Sequence, residues 1–194
     1  MEFHEDERGS YILNSKDLNM IAHIPEMIDS GICSLKIEGR MKTPYYVAAV
    51  TKAYRRAIDD YYENPELYRR NIDDYLKELG KTSHRRYTTG FYFDKPDSSA
   101  QVYESSSYIR TYDFVGIVQG YEDGYAIIEQ RNKFSLGDEV EFVTTDGDDF
   151  SQHIAEIVNE EGQNVQAAPH AQEVTRVAVS RPVAKFDIMR KKHD

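Results

Sequence analysis

One stretch constrains this chain more than any other: Cys33 to Asp59 reads as a strand that runs at once into a long helix, with no second strand beside it. Leu35, Ile37 and Gly39 alternate with Lys36, Glu38 and Arg40, and a period of two sends apolar side chains to one face and charges to the other. Thr43 and Pro44 then supply a helix cap and a first helical position. Val47, Val50, Tyr54, Ile58 and Tyr61 set out an apolar stripe along a helix that ends near Tyr62. A strand feeding a helix is a β/α unit, and a parallel strand needs neighbours. The only other strand-like run in this half is Tyr11 to Leu13. Residues 1–80 therefore read as the last piece of a larger α/β domain whose beginning is absent.

Around that unit, Ser15 is placed to cap a helix through "KDLNMIAHI", and Pro25 opens another turn or two that Gly31 stops. Asn64 and Pro65 start a further helix that runs to Gly80. Beyond it the pattern changes to short apolar runs: "TTGFYF", "FVGIVQGY", "YAIIEQ", "DEVEFV", "HIAEIV", "VQAA" and "VTRVAVS". Asp123-Gly124 and Gly162 suit tight reversals between antiparallel strands. Asn132 and Lys133 make a turn feeding a strand, with Gly137 and Asp138 fixing the reversal. The chain reads as α+β, with a helical β/α part over 1–80 and a small antiparallel β-barrel over 81–194, divided near Lys81. No internal repeat or low-complexity tract interrupts either half.

With 194 residues and 40% hydrophobic content, the chain has ample material for a buried core. A single cysteine, Cys33, excludes an internal disulfide and a four-thiolate metal site. On its strand among apolar residues, Cys33 reads as a buried, inert thiol. No apolar run is long enough to cross a bilayer, and "MEFHEDERGS" lacks the basic end and apolar run of a signal peptide, so a cytoplasmic location is expected. The net charge of −10 argues against phosphate binding, but the distribution qualifies it. Lys36, Arg40, Lys42, Lys52, Arg55 and Arg56 face one acid, Glu38, whereas Phe134 to Thr175 holds no Lys or Arg. Two solvated surfaces are the competing reading of that split.

"NSKDL" at Asn14–Leu18, "SLKIEGRMK" at Ser34–Lys42 and "YYVAAVTKAYRRAID" together resemble the collagenase-like peptidase family, peptidase U32. "TTGFYF", "YIRTYDFVG", "QRNKFSLGDEVEF" and "APH" resemble the C-terminal β domain of the same family, so the likeness covers nearly the whole chain. The resemblance implies a barrel-like α/β catalytic domain, of which this chain would hold only the final β/α unit. It also implies one of two activities: proteolysis, or iron–sulfur chemistry supporting hydroxylation of tRNA, ribosomal RNA or quinone precursors, with prephenate as oxygen source in the tRNA branch. Two departures stand out. The family's cysteine-rich segment is missing, and Asn19 stands where relatives often carry a cysteine just after Asp-Leu. Asparagine supplies no thiolate to iron, so no iron–sulfur cluster is expected in this chain, and any cluster belongs to the longer parent.

Tested residue by residue, the protease label has little behind it. "HEDER" at His4 lacks the second histidine of a zinc motif. Ser105, Ser106 and Ser107 form a polar run and no nucleophile elbow, and the six histidines are scattered, with a pairing of His153 or His170 with an acid in space left open. Lys36, Glu38 and Arg40 are better candidates, because charged side chains at the C-terminal end of a barrel strand point into the mouth where substrates bind. A Glu38–Arg40 ion pair or a solvated edge competes with that reading, and the place of "IEGR" inside a periodic strand weighs against a cloned cleavage site. A second candidate surface, for RNA, joins Arg85, Arg86 and Arg110 to Tyr87, Tyr108 and Tyr112: cations for phosphates, flat rings for bases. The expected partners are tRNA or another RNA, or a peptide or collagen-like substrate, together with the missing catalytic domain; a structural assembly role is the third reading. The chain alone is not expected to catalyse a reaction.

Overall fold

The computed structural model describes residues 4–6, 9–11, 15–97, 100–102 and 108–193. The readings placed on Ile12 to Asn14, Tyr103 and Ser105–Ser107 lie outside them. The chain divides into two compact units, Met1–Arg110 and Thr111–Asp194.

In the first unit, β1 (His4–Asp6) and β2 (Gly9–Tyr11) form an antiparallel pair. Strand β3 (Asp17–Leu18) pairs in parallel with the distant β4 (Tyr87–Thr88). This pairing, with isolated bridges Ser15–Gln101 and His84–Ile109, ties Ser15–Leu18 to Tyr87–Thr88 and Gln101, and His84 to Ile109. The compact units therefore meet 30 residues beyond the composition change at Gly80 that suggested Lys81 as the boundary. The same pairing corrects the reading of Ser15 as a helix cap. Asp17–Leu18 is drawn into a strand, and the Oδ1 of Asn19 accepts the Ile21 N–H at 3.0 Å where a 3₁₀ turn, Ile21–His23, begins. Helix α1 (Ile24–Asp29) carries Pro25 in its first turn and stops before Gly31 at φ 81°.

Helices α2 (Pro44–Glu63) and α3 (Pro65–Gly80) start as the sequence indicates. Thr43 Oγ1 accepts the Tyr46 N–H at 3.2 Å, and Asn64 Oδ1 accepts the Glu66 N–H at 2.9 Å. The face of α2 turned to the core differs from the predicted stripe: it carries Tyr45, Ala49, Val50, Ala53 and Ala57, while Val47 is 42% exposed. Alanines at every fourth position let α3 approach closely, and the bulkier Tyr54, Ile58 and Tyr61 pack along the flank. Tyr68 and Tyr75 of α3 fill the contact, with ring centroids 5.9 Å apart. The stretch 33–37 forms no strand, which corrects the expectation; it has no ladder partner, and Cys33 is exposed, not buried. Its exposure still alternates, with Leu35 and Ile37 packed on the helical core between exposed Ser34, Lys36 and Glu38.

The second unit is a seven-stranded antiparallel sheet that curls into a half-barrel. Its strands are β5 (Tyr112–Glu122), β6 (Tyr125–Gln130), β8 (Glu139–Val143), β9 (Phe150–His153), β10 (Ile157–Val158), β12 (Val174–Ala178) and β13 (Ile188–Lys192), in the order β10-β12-β6-β5-β13-β8-β9. A separate pair joins β7 (Phe134–Ser135) to β11 (Ala167–Ala168). The β5–β6 hairpin turns at Asp123 (φ 47°) and Gly124 (φ 87°), the left-handed pair that a two-residue hairpin demands. Ser135 N–H bonds the Asp138 carboxylate at 2.9 Å, next to Gly137 at φ 83°. Val115, Val118, Ile128, Phe134, Phe142 and Met189 lie at the centre of its core.

Candidate functional site

A cleft of about 750 Å³ in the first unit gathers Lys36, Glu38 and Arg40 along one wall. The helix start at Thr43–Pro44 fixes where this wall ends. Just before it, the Glu38 carboxylate accepts the backbone N–H of Arg40 at 2.9 Å, which closes a local turn and presents both side chains to solvent. Asp17, Lys42, Tyr46, Tyr54 and Tyr92 line the cleft as well. All three residues singled out as a charged site therefore share one concave surface.

Beside them lies a cluster built on Asp17. Its Oδ2 accepts the Arg85 N–H at 2.9 Å and stands 3.9 Å from Lys42 Nζ. Lys42 Nζ also donates to the Ser83 carbonyl at 2.9 Å, and it sits 3.8 Å from the centre of the Tyr108 ring and 5.0 Å from that of Tyr46. The Arg85 guanidinium lies 5.2 Å from the same Tyr108 ring, while its Nη1 donates to the Ser15 carbonyl at 3.1 Å. Burial, then the negative charge of Asp17, raises the Tyr46 hydroxyl above its ordinary value, so it stays a neutral phenol at physiological pH.

The six residues proposed from sequence for RNA are divided between the two units, five in the first and Tyr112 in the second. Arg85 and Tyr108 come together, and Arg86 and Arg110 are exposed in the same unit. Tyr87 turns inward, with its hydroxyl on the Leu79 carbonyl at 3.1 Å and its ring stacked on His84 at 4.4 Å; burial raises its hydroxyl. Tyr112 opens β5 in the second unit, its ring 5.4 Å from the Arg190 guanidinium. Asp17, Lys42 and Tyr46 were not singled out. The available signal was that Asp17 and Lys42 stand inside the two motifs that carry the family resemblance.

Asn19 occupies a structural post: its Oδ1 serves the Ile21 N–H and the Tyr54 hydroxyl, which in turn accepts the Met20 N–H at 2.9 Å. Its Nδ2 is buried without a partner. An iron–sulfur cluster does not fit the residues present: Cys33 is the single thiol and is exposed, and among the described residues no three His, Cys, Asp or Glu side chains are placed to hold a metal ion. His153 Nδ1 lies 3.2 Å from the Gly137 carbonyl, and the His170 N–H donates to Glu173. Among the described residues, no helix is long and apolar enough to cross a membrane.

Comparison with known proteins places these features. Residues 1–102 match the model of peptidase family U32, and residues 110–190 match that of the peptidase family U32 C-terminal domain. The chain is 37% identical over 188 residues to tRNA hydroxylation protein P1 of Bacillus subtilis, covering 96% of this chain and 44% of the relative. It is 38% identical to tRNA hydroxylation protein P of Escherichia coli, covering 85% and 36%. A Porphyromonas gingivalis protein named collagenase is 27% identical, covering 94% and 52%. A crystal structure of the C-terminal domain of a Geobacillus thermoleovorans protein described as a U32 peptidase aligns with a TM-score of 0.40 at 40% identity, covering 41% of this chain and 99% of that one. The chain thus spans less than half the length of the first two relatives. Matched along both of its units, the chain belongs to peptidase family U32.

Proposed function

We propose that this chain is the substrate-holding, C-terminal part of an enzyme that supports hydroxylation of uridine in tRNA, and that the cleft of the first unit contributes to the RNA contact. The observation that carries the reading is local charge: in a chain of net charge −10, Lys36, Arg40 and Lys42 converge on one cleft with tyrosine rings beside them. Cations neutralise phosphates and flat rings accept bases, which is the pairing that single-stranded RNA needs. The names of the Bacillus and Escherichia relatives support the choice of tRNA. The remainder of the parent protein supplies the reaction chemistry, and this chain alone holds substrate without transforming it.

The test is binding of the chain to unmodified tRNA across a salt series. Expected is an affinity that falls steeply with salt, with Lys36→Ala and Arg40→Ala together lowering the slope of log K against log salt by about 2. Arg85→Ala and Arg110→Ala report on the neighbouring surface. Binding that ignores both salt and all four substitutions overturns the reading. The collagenase relative favours a second reading, peptide binding, and gelatin retained in preference to tRNA would establish it.

A further inference from the structure

We infer that Phe91, Tyr92 and Phe93 form a stacking platform for two unpaired bases of RNA, beside the cations of the cleft. The platform rests on the RNA reading above and narrows it to single-stranded nucleotides held by named rings. The three side chains are consecutive and all face solvent, with Phe91 81%, Tyr92 58% and Phe93 51% exposed. Aromatic rings are among the side chains that gain most from burial, so three in a row left in water mark a surface kept open for a ligand.

Backbone bonds hold the rings there. The strand β4 ends at Thr88, whose carbonyl accepts the Asn19 N–H at 2.9 Å. The chain then reverses: the Thr88 hydroxyl accepts the Gly90 N–H at 3.1 Å, and the Thr89 carbonyl accepts the Tyr92 N–H at 3.3 Å. Gly90 lies at φ 59°, with Leu18 Cδ1 3.3 Å from where a Cβ would stand, so this reversal favours glycine. The Phe93 ring lies against His23, centroids 4.5 Å apart, which fixes one end of the row.

Charge selects the occupant. Tyr92 lines the same cleft as Lys36, Arg40 and Lys42, together with Tyr46 and Tyr54. Rings beside cations fit nucleic acid, because each nucleotide offers a flat base and a negative phosphate, whereas an apolar protein segment has no charge to meet the cations. Tyr92, in the cleft wall, takes one base. Phe91, the most exposed of the three, takes its neighbour, and Phe93 braces the row through His23. Every base has a π-face, so the platform accepts unpaired stretches of any sequence and excludes a double helix, whose bases already stack on one another.

Binding of the 194-residue chain to a short oligouridylate, compared with an abasic oligomer of the same length and charge, tests the platform. Expected is about 10-fold tighter binding of the oligouridylate at the same salt concentration. Tyr92→Leu, which keeps bulk and loses the flat ring, should erase that preference and leave the salt slope unchanged, while Tyr92→Trp should retain it. The chain has no tryptophan, so Phe91→Trp adds a single reporter whose fluorescence should fall as a base stacks on it. Equal affinity for the two oligomers, both falling with salt, overturns the platform and leaves the cationic cleft standing; no affinity for either overturns both. In a longer family protein that contains the chain, a blue-shifted Phe91→Trp emission that oligouridylate does not move overturns the platform in favour of a protein contact.

Discussion

Lys42 Nζ stands 3.8 Å from the centre of the Tyr108 ring, so a residue at the mouth of α2 is held by one that is 66 positions later in sequence. Arg85 approaches the same ring at 5.2 Å, and the Asp17 carboxylate lies 3.9 Å from Lys42 Nζ while accepting the backbone N–H of Arg85. The charged cleft is therefore anchored by the stretch that closes the first unit. Tyr108→Ala should cost the first unit about 1 kcal/mol in urea unfolding, and a double-mutant cycle with Lys42→Met should give a coupling of about 0.5–1 kcal/mol. A coupling indistinguishable from zero would show that the ring and the cation do not interact.

In the second unit, Arg190 is 0% exposed and its guanidinium is paired twice to Glu141, Nε to Oε2 at 3.0 Å and Nη2 to Oε1 at 2.9 Å. Glu141→Ala removes the carboxylate partner of a buried cation and should destabilise this unit by about 3–5 kcal/mol, whereas Arg190→Met with Glu141→Leu should recover most of that loss. Chemical denaturation of the two variants beside the unsubstituted chain decides it.

Between α2 and α3, Asp60 gathers the Tyr75 hydroxyl, the Asn71 amide at 2.8 Å and Arg56 Nε at 3.8 Å. Tyr75→Phe should cost about 1–2 kcal/mol, because Asp60 loses one bond while the ring packing stays. A loss as large as that of Tyr75→Ala would place the energy in the hydroxyl and not in the ring.

Burial holds Tyr68 up to about 12 and raises Tyr75 and Tyr87 as well, with the Asp60 bond adding to Tyr75. The sign follows from which state ionises first. In the unfolded chain these phenols ionise near pH 10, while in the folded chain they stay neutral to higher pH. Their contribution is complete below about pH 10 and is lost as pH rises through the folded values. The urea midpoint of the first unit should be level from about pH 8 to 9 and fall from about pH 10 upwards, with Tyr68→Phe making the fall shallower.

Gly116 of β5 faces the Ile128 Cγ2 of the paired strand so closely that a Cβ would collide with it, and Met189 Cε would lie 3.5 Å away. Gly116→Ala should destabilise the half-barrel by about 1–3 kcal/mol, read as a drop in its melting temperature.

Local chemistry settled much of this protein before any tertiary contact formed. The Thr43 and Asn64 caps, the prolines at 44 and 65, the Asp123-Gly124 reversal and the Gly31 stop each act over four residues or fewer, so the sequence alone determined them. Lys36, Glu38 and Arg40, two residues apart, share the wall of one cleft for the same local reason. Tertiary structure decided the rest. Asp17–Leu18 became a strand because Tyr87–Thr88, about 70 residues away, offered it hydrogen bonds. β13 sits between β5 and β8 in the sheet, its buried Arg190 paired across the ladder with Glu141 of β8, a partner that lies about 50 residues away. At Cys33–Ile37 the pattern was right and the strand is absent, since alternation sets which side chains share a face but a strand exists only when another backbone bonds to it.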